Sequence, residues 1–444
     1  MGGTSIGWPG APVVPWCEYV PRPPSCFPPL CGCGGRRAGA FALAASILAT
    51  VLGASSVLGI TDLVPHYGAA AVWWLLLGAL GLFLAAFITL KPLYRLQALT
   101  IIDALHRCVG KRAAFAAGPV LVCAWIGIIA AQFVALGRVM AAFEGGDAAP
   151  YILLASCVLT TYMCIGGQNA LLKADRLQLI MLVLGLGGAA AVLFGLFGTG
   201  HFNGNKGSLS IDVFPTEVFS PKDLLFLAFP LLGAYLLGPD IFGRINAARD
   251  IRSARRALCL ASVGVVVFAF VLITLAMFAT LAVQQVPERF SPLLDVVMFS
   301  LPRLFAILFC LALVAAMSSS ADTCLLTLSS VLCYDVCKKR GVFALRLCMC
   351  IASVLATIVA LVFLEIIPLL LSAYTLYTAS LAAPFLVALL ARKWFLRVSE
   401  NVFLLAMFAG GTCSAFAILY TVPFLPLVGI GLGVLISLVG LRRG

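Results

Sequence analysis

The residues best suited to chemistry in this chain are three consecutive serines and a carboxylate inside a long apolar stretch. The stretch runs from Ala315 to Thr323 and contains Ser318–Ser320 and Asp322. Lipid offers no water to satisfy such groups, so at membrane depth they face a cavity, an ion or another helix. Hydroxyls and carbonyls are the hard oxygen ligands that small cations prefer. The pattern favours a helix bundle that coordinates a small cation and moves a solute.

The composition is that of a membrane protein. Of 444 residues, 63% are hydrophobic and only 10% are charged, and the mean hydropathy is +1.12. No soluble domain of this length needs so much apolar surface, so the expected surroundings are a lipid bilayer. The formal net charge of +12 does not indicate a nucleic-acid partner, because the basic residues lie in short clusters between apolar stretches.

The apolar stretches are long enough to be membrane spans. Length and hydropathy predict about twelve of them. They lie near residues 40–62, 70–90, 113–142, 150–166, 177–199, 223–242, 257–283, 301–334, 343–363, 366–390, 402–420 and 423–441. Basic residues concentrate in every second connection, as they do in cytoplasmic loops. This predicts a multi-pass protein of the plasma membrane (the inner membrane in bacteria) with both termini in the cytoplasm.

Two predicted spans carry helix-weakening residues in their middle. Residues 52–59 of the first read LGASSVLG, and residues 229–240 of the sixth read FPLLGAYLLGPD. With five spans in each half, these two enter the membrane from opposite sides, as the broken first helices of inverted repeats do. A break exposes backbone carbonyls and helix ends that can hold a cation or a charged group. Gly and Pro are common in membrane helices generally, so the matching placement is what favours functional breaks.

The spans divide the chain into five regions. Residues 1–38 form an irregular tail rich in Pro, Gly and Cys, whose cysteines lack the paired spacing of a zinc site. A first five-helix repeat is expected over residues 39–199 and a second, inverted one over 223–392, joined by an extracellular loop at 200–222. Two peripheral helices at 393–444 complete an all-α, polytopic membrane protein.

Four segments resemble the motifs of one transporter family. The first is a core helix from Gly35 to Gly59, and the second is a Y-x-x-x-G-G-x-x-A…T-D-x-x-Q signature from Tyr162 to Gln178, with Ala174 in place of Thr. The third is a P-x-x-x-x-R-x-x-A-A junction from Gly238 to Asp250. The fourth is an A-x-M-S-T-A-D-S…S-S segment from Ala315 to Ser330. Their order and spacing resemble the sodium/solute symporter family, the relatives of the bacterial proline and sugar symporters.

The resemblance implies a fold and an activity. The fold is LeuT-like, with two inverted repeats of five helices and two additional C-terminal helices, which agrees with the span count above. The activity is transport and not enzymatic catalysis, with sodium as the coupling ion and no other cofactor. Family members usually begin with one further helix, and the Pro/Cys-rich tail stands in its place here.

The resemblance also implies a sodium site. Its ligands map onto the hydroxyls of Ser319 and Ser320 and the carbonyls of Ala54, Val57 and Ala316. Ala316 and Ser319 lie three residues apart and therefore on one helix face. A serine in a membrane helix can instead bond back to its own turn, and Ser318 is interpreted that way.

Four more residues are candidates for the solute site and its gate. Ser56 stands where proline-type symporters carry an Asp needed for sodium, which argues against proline and leaves a single weaker cation site. Tyr235 matches an aromatic residue that packs over the substrate in the family, with ordinary packing as its alternative. Trp125 and Gln132 lie two turns apart on the third span, where they face the same cavity, and a mid-membrane amide needs a partner.

Two carboxylates are candidates for an ion pathway. Asp175 is predicted at a cytoplasmic helix start, where it either offsets the helix dipole or serves ion exit. Asp322 either tunes the sodium site or hydrogen-bonds across helices.

The sequence therefore predicts sodium-coupled symport of a small organic solute by alternating access. An apolar cavity with few charges suits a neutral or zwitterionic solute or a monocarboxylate. Two alternatives stay open. One is a proton-coupled transporter of the same fold, with Asp175 or Asp322 as the coupling group. The other is a non-transporting sensor or inactive member, which the unusual start of the chain suggests.

Overall fold

The computed structural model describes residues 38–144, 146–198, 212–213, 219–283, 291–339, 341–420, 422 and 424–443. The predicted tail, apart from residue 38, and most of the predicted 200–222 loop lie outside these residues, and the boundaries of the two repeats stay a prediction.

The described residues are nearly all helical. The helices are α1 (Ala40–Val51), α2 (Ala54–Tyr67), α3 (Trp73–Phe87), α4 (Leu90–Leu96), α5 (Ile101–Cys108), α6 (Lys111–Glu144), α7 (Ala149–Gly198), α8 (Pro221–Leu237), α9 (Pro239–Ala247), α10 (Ile251–Val283), α11 (Pro292–Ser300), α12 (Arg303–Ser330), α13 (Val342–Val362), α14 (Ile366–Tyr377), α15 (Ala383–Ala391), α16 (Glu400–Tyr420) and α17 (Leu425–Val439). Two short strands, β1 (Leu396–Val398) and β2 (Leu441–Arg443), pair antiparallel.

The first predicted break separates α1 from α2 at Leu52 and Gly53. It is shorter than predicted, because residues 54–59 belong to α2. Gly53 has an extended backbone, with φ −65° and ψ −176°. A Cβ at this position would lie 2.8 Å from the Cβ of Ser320. Glycine therefore permits α12 to approach the break closely.

The second predicted break separates α8 from α9 at Gly238. Pro230 lies inside α8 and does not end it, so the break is confined to the end of the predicted 229–240 stretch. Pro239 follows at the first position of α9, where its missing N–H leaves nothing unsatisfied. A residue before proline favours an extended backbone, and Gly238 has φ −56° and ψ 130°.

The carbonyls freed at the second break are satisfied by other helices. The Thr89 hydroxyl donates to the Leu236 carbonyl at 2.8 Å, and the Tyr377 hydroxyl donates to the Leu237 carbonyl at 2.6 Å. Since an unpaired buried carbonyl is costly in lipid, these hydroxyls stabilise the broken conformation.

The two broken spans run in opposite directions. Ala38, just before α1, donates its N–H to the Ala247 carbonyl and accepts from the Arg249 N–H, both at 3.2 Å. The start of α1 therefore lies beside the end of α9, at one end of the bundle. This is the arrangement that inverted repeats with broken first helices require.

Helix α12, which carries the serines, lies at the centre of the bundle. It packs against α1, α6, α7 and α13, and its residues from Ala315 to Asp322 are buried except for Ser318. Ser319 and Ser320 therefore face protein and not lipid.

The span pattern differs from the prediction at two places. Within the described residues, ten stretches are long and apolar enough to cross a membrane, and the shorter apolar helices α1 and α17 are additional. The predicted fourth and fifth spans lie on one helix, α7, because the stretch between them is itself helical. The predicted first connection is a tight 3₁₀ turn, Gly68–Val72.

We expect Gly53→Ala to lower the free energy of unfolding by about 1–3 kcal/mol, because the added methyl forces α1 and α12 apart. Thermal unfolding of the purified protein, followed by intrinsic fluorescence, measures the loss. Gly187→Ala is the matched control, since nothing lies within 4 Å of a Cβ at Gly187 on α7. Equal unfolding temperatures for the two variants would contradict the close approach of α12 to the break.

Candidate functional site

The two breaks border one small cavity of about 40 Å³, called here the central cavity. It holds at most a few water molecules. Its walls come from both broken spans and from α3, α6, α12 and α14. The lining includes the predicted residues Ser56, Trp125, Gln132, Tyr235 and Ser320, together with Trp74, Asp240, Cys324 and Tyr374.

The aromatic residues of the cavity are held by close packing. Tyr235 lies in a notch of α3, where a Cβ at Gly81 would be 2.6 Å from the Cβ of Tyr235. The Trp125 ring meets the edge of the Tyr377 ring with centroids 4.9 Å apart. The indole N–H of Trp125 is buried without a hydrogen-bond partner among the described residues. A donor of this kind is available to a solute oxygen.

The three serines of α12 make different contacts. Ser318 donates to the Val314 carbonyl of its own helix at 2.8 Å, as its interpretation from sequence states. Ser320 donates to the Thr50 carbonyl at the end of α1 at 2.7 Å. Ser319 donates to the Asp175 carboxylate at 2.6 Å. Ser319 and Ser320 thus reach across helices, and Ser320 lies against the first break.

The carbonyls proposed from sequence lie differently. Ala54 and Val57 belong to the first turns of α2, where the helical pattern engages each carbonyl with the N–H four residues later. The start of a helix exposes N–H groups and its end exposes carbonyls. The carbonyl next to Ser320 is therefore that of Thr50, because the break comes earlier in the chain than predicted.

Asp175 is not at a helix start. It lies inside α7, is fully buried, and accepts hydrogen bonds from Ser46 and Ser319. Its other partner is Arg244 of α9, whose Nη2 lies 3.5 Å from the carboxylate. The side chain of Asp175 therefore connects α7 to α1, α9 and α12. Its position is in the core of the bundle and not at the helix start that the sequence predicts.

Arg244 is the centre of this buried polar cluster, which consists of Ser46, Thr50, Asp175, Arg244, Ser319 and Thr323. Its Nε donates to the Ser46 hydroxyl at 2.9 Å. Its Nη2 donates to the Thr323 hydroxyl at 2.7 Å and to the Thr50 hydroxyl. The guanidinium is 5% exposed, and a buried charge requires such a set of partners.

Asp322 forms no hydrogen bond with Ser319 or Ser320. It is fully buried, and neither carboxylate oxygen has a hydrogen-bond partner among the described residues. The Tyr162 hydroxyl of α7 lies close enough to interact electrostatically with this carboxylate, although the geometry of a hydrogen bond is not met. A carboxyl group in this setting must either carry a proton or lie beside a cation.

A second ionic contact closes the opposite end of the bundle from the α1–α9 junction. Arg138 of α6 lies 3.1 Å from the Asp62 carboxylate of α2, and it donates to the Leu364 carbonyl between α13 and α14 at 2.7 Å. We call this contact the Arg138 latch.

Sequence reasoning missed several of these residues as site residues. Asp240 follows the Gly238-Pro239 break directly, and this position was the signal that could have identified it. The sequence identifies Arg244 only as a member of the P-x-x-x-x-R-x-x-A-A junction between Gly238 and Asp250. Nothing local in the sequence indicates that Arg138 pairs with Asp62, because 76 residues separate them.

Comparison with known proteins gives a family and a fold. A model of the sodium:solute symporter family matches residues 33–410. No curated protein matches the chain at the sequence level.

Three solved structures resemble this chain closely in fold. A Na⁺-coupled sialic acid symporter has a TM-score of 0.71 at 17% identity, with 93% of each chain covered. Mhp1, a nucleobase-cation-symport-1 family transporter, has a TM-score of 0.65 at 13% identity and covers 92% of this chain and 93% of its own. MhsT in complex with L-phenylalanine has a TM-score of 0.57 at 15% identity, covering 89% and 99%. These likenesses confirm the predicted LeuT-like helical fold.

We expect Asp175→Asn to destabilise the protein by about 3–5 kcal/mol, because it leaves the Arg244 guanidinium buried without its counter-charge. The double variant Asp175→Asn with Arg244→Gln should lose less than the two single losses added together. Chemical or thermal unfolding in detergent measures all three variants. Arg249→Gln is the control, since its pair with Asp250 is largely exposed, and it should cost under about 1 kcal/mol. Simple additivity of the two core substitutions would show that the pair is not coupled.

Proposed function

The chain belongs to the sodium:solute symporter family, and from that premise we propose that it couples sodium to the uptake of a small organic solute by alternating access. The observation that carries the proposal is the position of Ser319 and Ser320. The Ser320 hydroxyl lies at the end of α1, next to the first break and to the central cavity, and the hydroxyl of the neighbouring Ser319 reaches Asp175. A multi-pass membrane protein of this family is placed most naturally in the plasma membrane, with both termini in the cytoplasm.

The proposed sodium ligands are the hydroxyls of Ser319 and Ser320 and the carbonyl of Ala316 one turn earlier. The Thr50 carbonyl, which already accepts from Ser320, is the nearest ligand from the first break. It lies in the last turn of α1, where the helix dipole favours a cation. Ala54 and Val57, the candidates from sequence, join the site only if the first turn of α2 unwinds.

Sodium binding would be linked to the buried polar cluster through Ser319. The Ser319 hydroxyl donates a hydrogen bond to Asp175, which leaves its lone pairs for a cation. Movement of Asp175 and Arg244 would therefore change the site, and Asp175 lies on the path by which we propose that the ion leaves.

Alternating access requires that the cavity open at one end at a time. The Arg138 latch lies at one end of the bundle and the buried polar cluster lies towards the other, and in the proposed cycle each must separate for the cavity to open on its side. Sodium moving inward down a membrane potential supplies about 2.3 kcal/mol per charge per 100 mV. That free energy is available to drive the solute against its gradient.

Asp322 favours a second candidate function, in which the proton and not sodium is the coupling ion. A buried carboxylate without a formed hydrogen bond can exchange a proton between the two sides as the bundle rearranges. In that case solute uptake follows the proton gradient in the absence of sodium, and Asp322→Asn abolishes the dependence of uptake on the proton gradient.

We expect sodium to raise the unfolding temperature relative to potassium at equal ionic strength. A ligand at about 100 times its Kd stabilises the folded state by about 2.7 kcal/mol. The double variant Ser319→Ala with Ser320→Ala should lose the sodium-specific increase, because both hydroxyl ligands are gone. Thermal unfolding of the purified protein in each salt is the measurement.

Ser318→Ala is the matched control for this experiment, because Ser318 bonds only to its own helix. It should keep the sodium-specific increase in full. Sodium coupling at this site is refuted if the double variant responds to sodium as the unmodified protein does.

We expect Arg138→Gln to open the end of the cavity that the latch closes. Loss of the ion pair and its carbonyl contact shifts the population by about 1 kcal/mol, or roughly fivefold. Cys324 lines the cavity and is buried, so its rate of maleimide labelling, mapped by mass spectrometry, should rise by that factor. Arg107→Gln, which breaks a half-exposed pair within α5, should leave the rate unchanged. A rate for Arg138→Gln equal to that of the control would remove the latch from the mechanism.

A further inference from the structure

One carboxylate borders the central cavity, and the proposed sodium site does not use it. Asp240 is the second residue of α9, directly after the break. It lines the central cavity and also a second cavity of about 60 Å³ between α1, α9 and α12. A group on the wall between two cavities is in a position to contact a solute on its way through the protein.

The Asp240 carboxylate forms no ion pair within 4 Å in the part of the chain that the structure describes. Its electrostatic partner is Arg244, which acts on it without direct contact between the charged groups. Arg244 is one turn away on the same helix, but its Nη1 donates to the backbone carbonyl of Asp240 at 3.4 Å. The remaining guanidinium contacts of Arg244 go to the buried polar cluster. The backbone N–H of Ile241, at the start of α9, hydrogen-bonds to the carboxylate, and the helix dipole favours a negative charge there.

The buried charges near the breaks therefore do not balance. Arg244 forms an ion pair with one carboxylate, that of Asp175, whereas Asp240 and the fully buried Asp322 have no ion pair among the described residues. Asp240 borders the central cavity and is only partly exposed, and an unpaired charge in such a place is costly. A cation in the central cavity would supply the missing charge.

The rest of the cavity wall indicates the kind of cation. The rings of Trp74, Trp125, Tyr235 and Tyr374 line the cavity, and the two tyrosines interact electrostatically with Asp240. Aromatic faces attract organic ammonium groups, whereas sodium prefers oxygen ligands. The unpartnered N–H of Trp125 adds one donor, which suits an oxygen atom on the same solute.

We propose that the transported solute is a small organic cation, an amine or ammonium compound with an oxygen acceptor, whose positive group pairs with Asp240 and whose oxygen accepts from Trp125. The proposal rests on the proposed transport function and names the class of its solute. It excludes one solute class expected from the sequence, the monocarboxylates, because a monocarboxylate would place a second negative charge beside Asp240. A zwitterion meets the requirement only through its cationic end.

Thermal unfolding in the presence of matched solutes tests this directly. At fixed sodium concentration, purified protein is titrated with ethanolamine, with its neutral isostere 1-propanol, with tetramethylammonium and with propionate. The two cations should raise the unfolding temperature, and 1-propanol and propionate should not. Asp240→Asn should weaken apparent binding of both cations by at least about tenfold. Glu365→Gln, which alters an exposed carboxylate, should bind both as the unmodified protein does.

A second variant separates the two contacts. Trp125→Phe keeps the ring but removes the N–H, so it should weaken binding of ethanolamine, which has an oxygen, and leave that of tetramethylammonium unchanged. Sodium-specific stabilisation without any organic solute is measured on every variant. If Asp240→Asn retains it, the variant is folded and its sodium site is intact.

The other outcomes overturn the proposal. Stabilisation by 1-propanol or propionate equal to that by the cations, or no stabilisation by either cation, rules out a cationic solute. Unchanged cation binding in Asp240→Asn removes Asp240 from the site. Loss of sodium-specific stabilisation in Asp240→Asn assigns the carboxylate to sodium instead. If the unmodified protein shows a sodium effect and no cation effect, the solute class fails while the transport function stands.

Discussion

The structure depends most on the buried ion pair between Arg244 and Asp175. The pair joins α9 to α7, and the surrounding hydroxyls of Ser46 and Ser319 extend it to α1 and α12. Neither charge is stable alone at this depth, because desolvation costs several kcal/mol per ion and only a well-placed partner with further hydrogen bonds offsets it. The four helices that meet there are therefore held in one arrangement. That arrangement fixes where α12 presents Ser319 and Ser320 to the first break.

The groups that the two helix breaks present depend on this fixed core. At the first break, Gly53 lets α12 approach, so that a serine hydroxyl meets a carbonyl at the end of α1. At the second, hydroxyls from α3–α4 and α14 satisfy the freed carbonyls, and the start of α9 presents Asp240. One break thus offers oxygen ligands for an inorganic ion, and the other offers a carboxylate among aromatic rings. The physical difference between these surroundings is what separates a proposed sodium site from a proposed solute site in a single small cavity.

Much of this could be predicted from the sequence, and the errors have identifiable causes. The polar run Ser318–Ser320 stood out against its apolar surroundings, and both breaks were signalled by glycine and proline. The first break was predicted too long because a glycine-rich stretch does not reveal which residue is extended, and the carbonyls of Ala54 and Val57 stay predicted ligands. The sequence predicts Asp175 at a helix start because the fourth and fifth spans are counted as separate helices, whereas the backbone continues through this residue as α7. The pairing of Asp175 with Arg244 joins residues 69 positions apart, and no local pattern reports such a contact.

The sequence by itself determined that this protein is a helical membrane bundle with two broken spans and a polar stretch at membrane depth. These properties follow from hydropathy, charge placement and backbone chemistry, which act locally along the chain. Only the tertiary structure decided which charges are neutralised within the bundle and which are left facing a cavity. Arg244 is one turn from Asp240, yet its partner is Asp175 on another helix. Charge balance in a low-dielectric interior depends on distances in space, and these are set by how the helices pack.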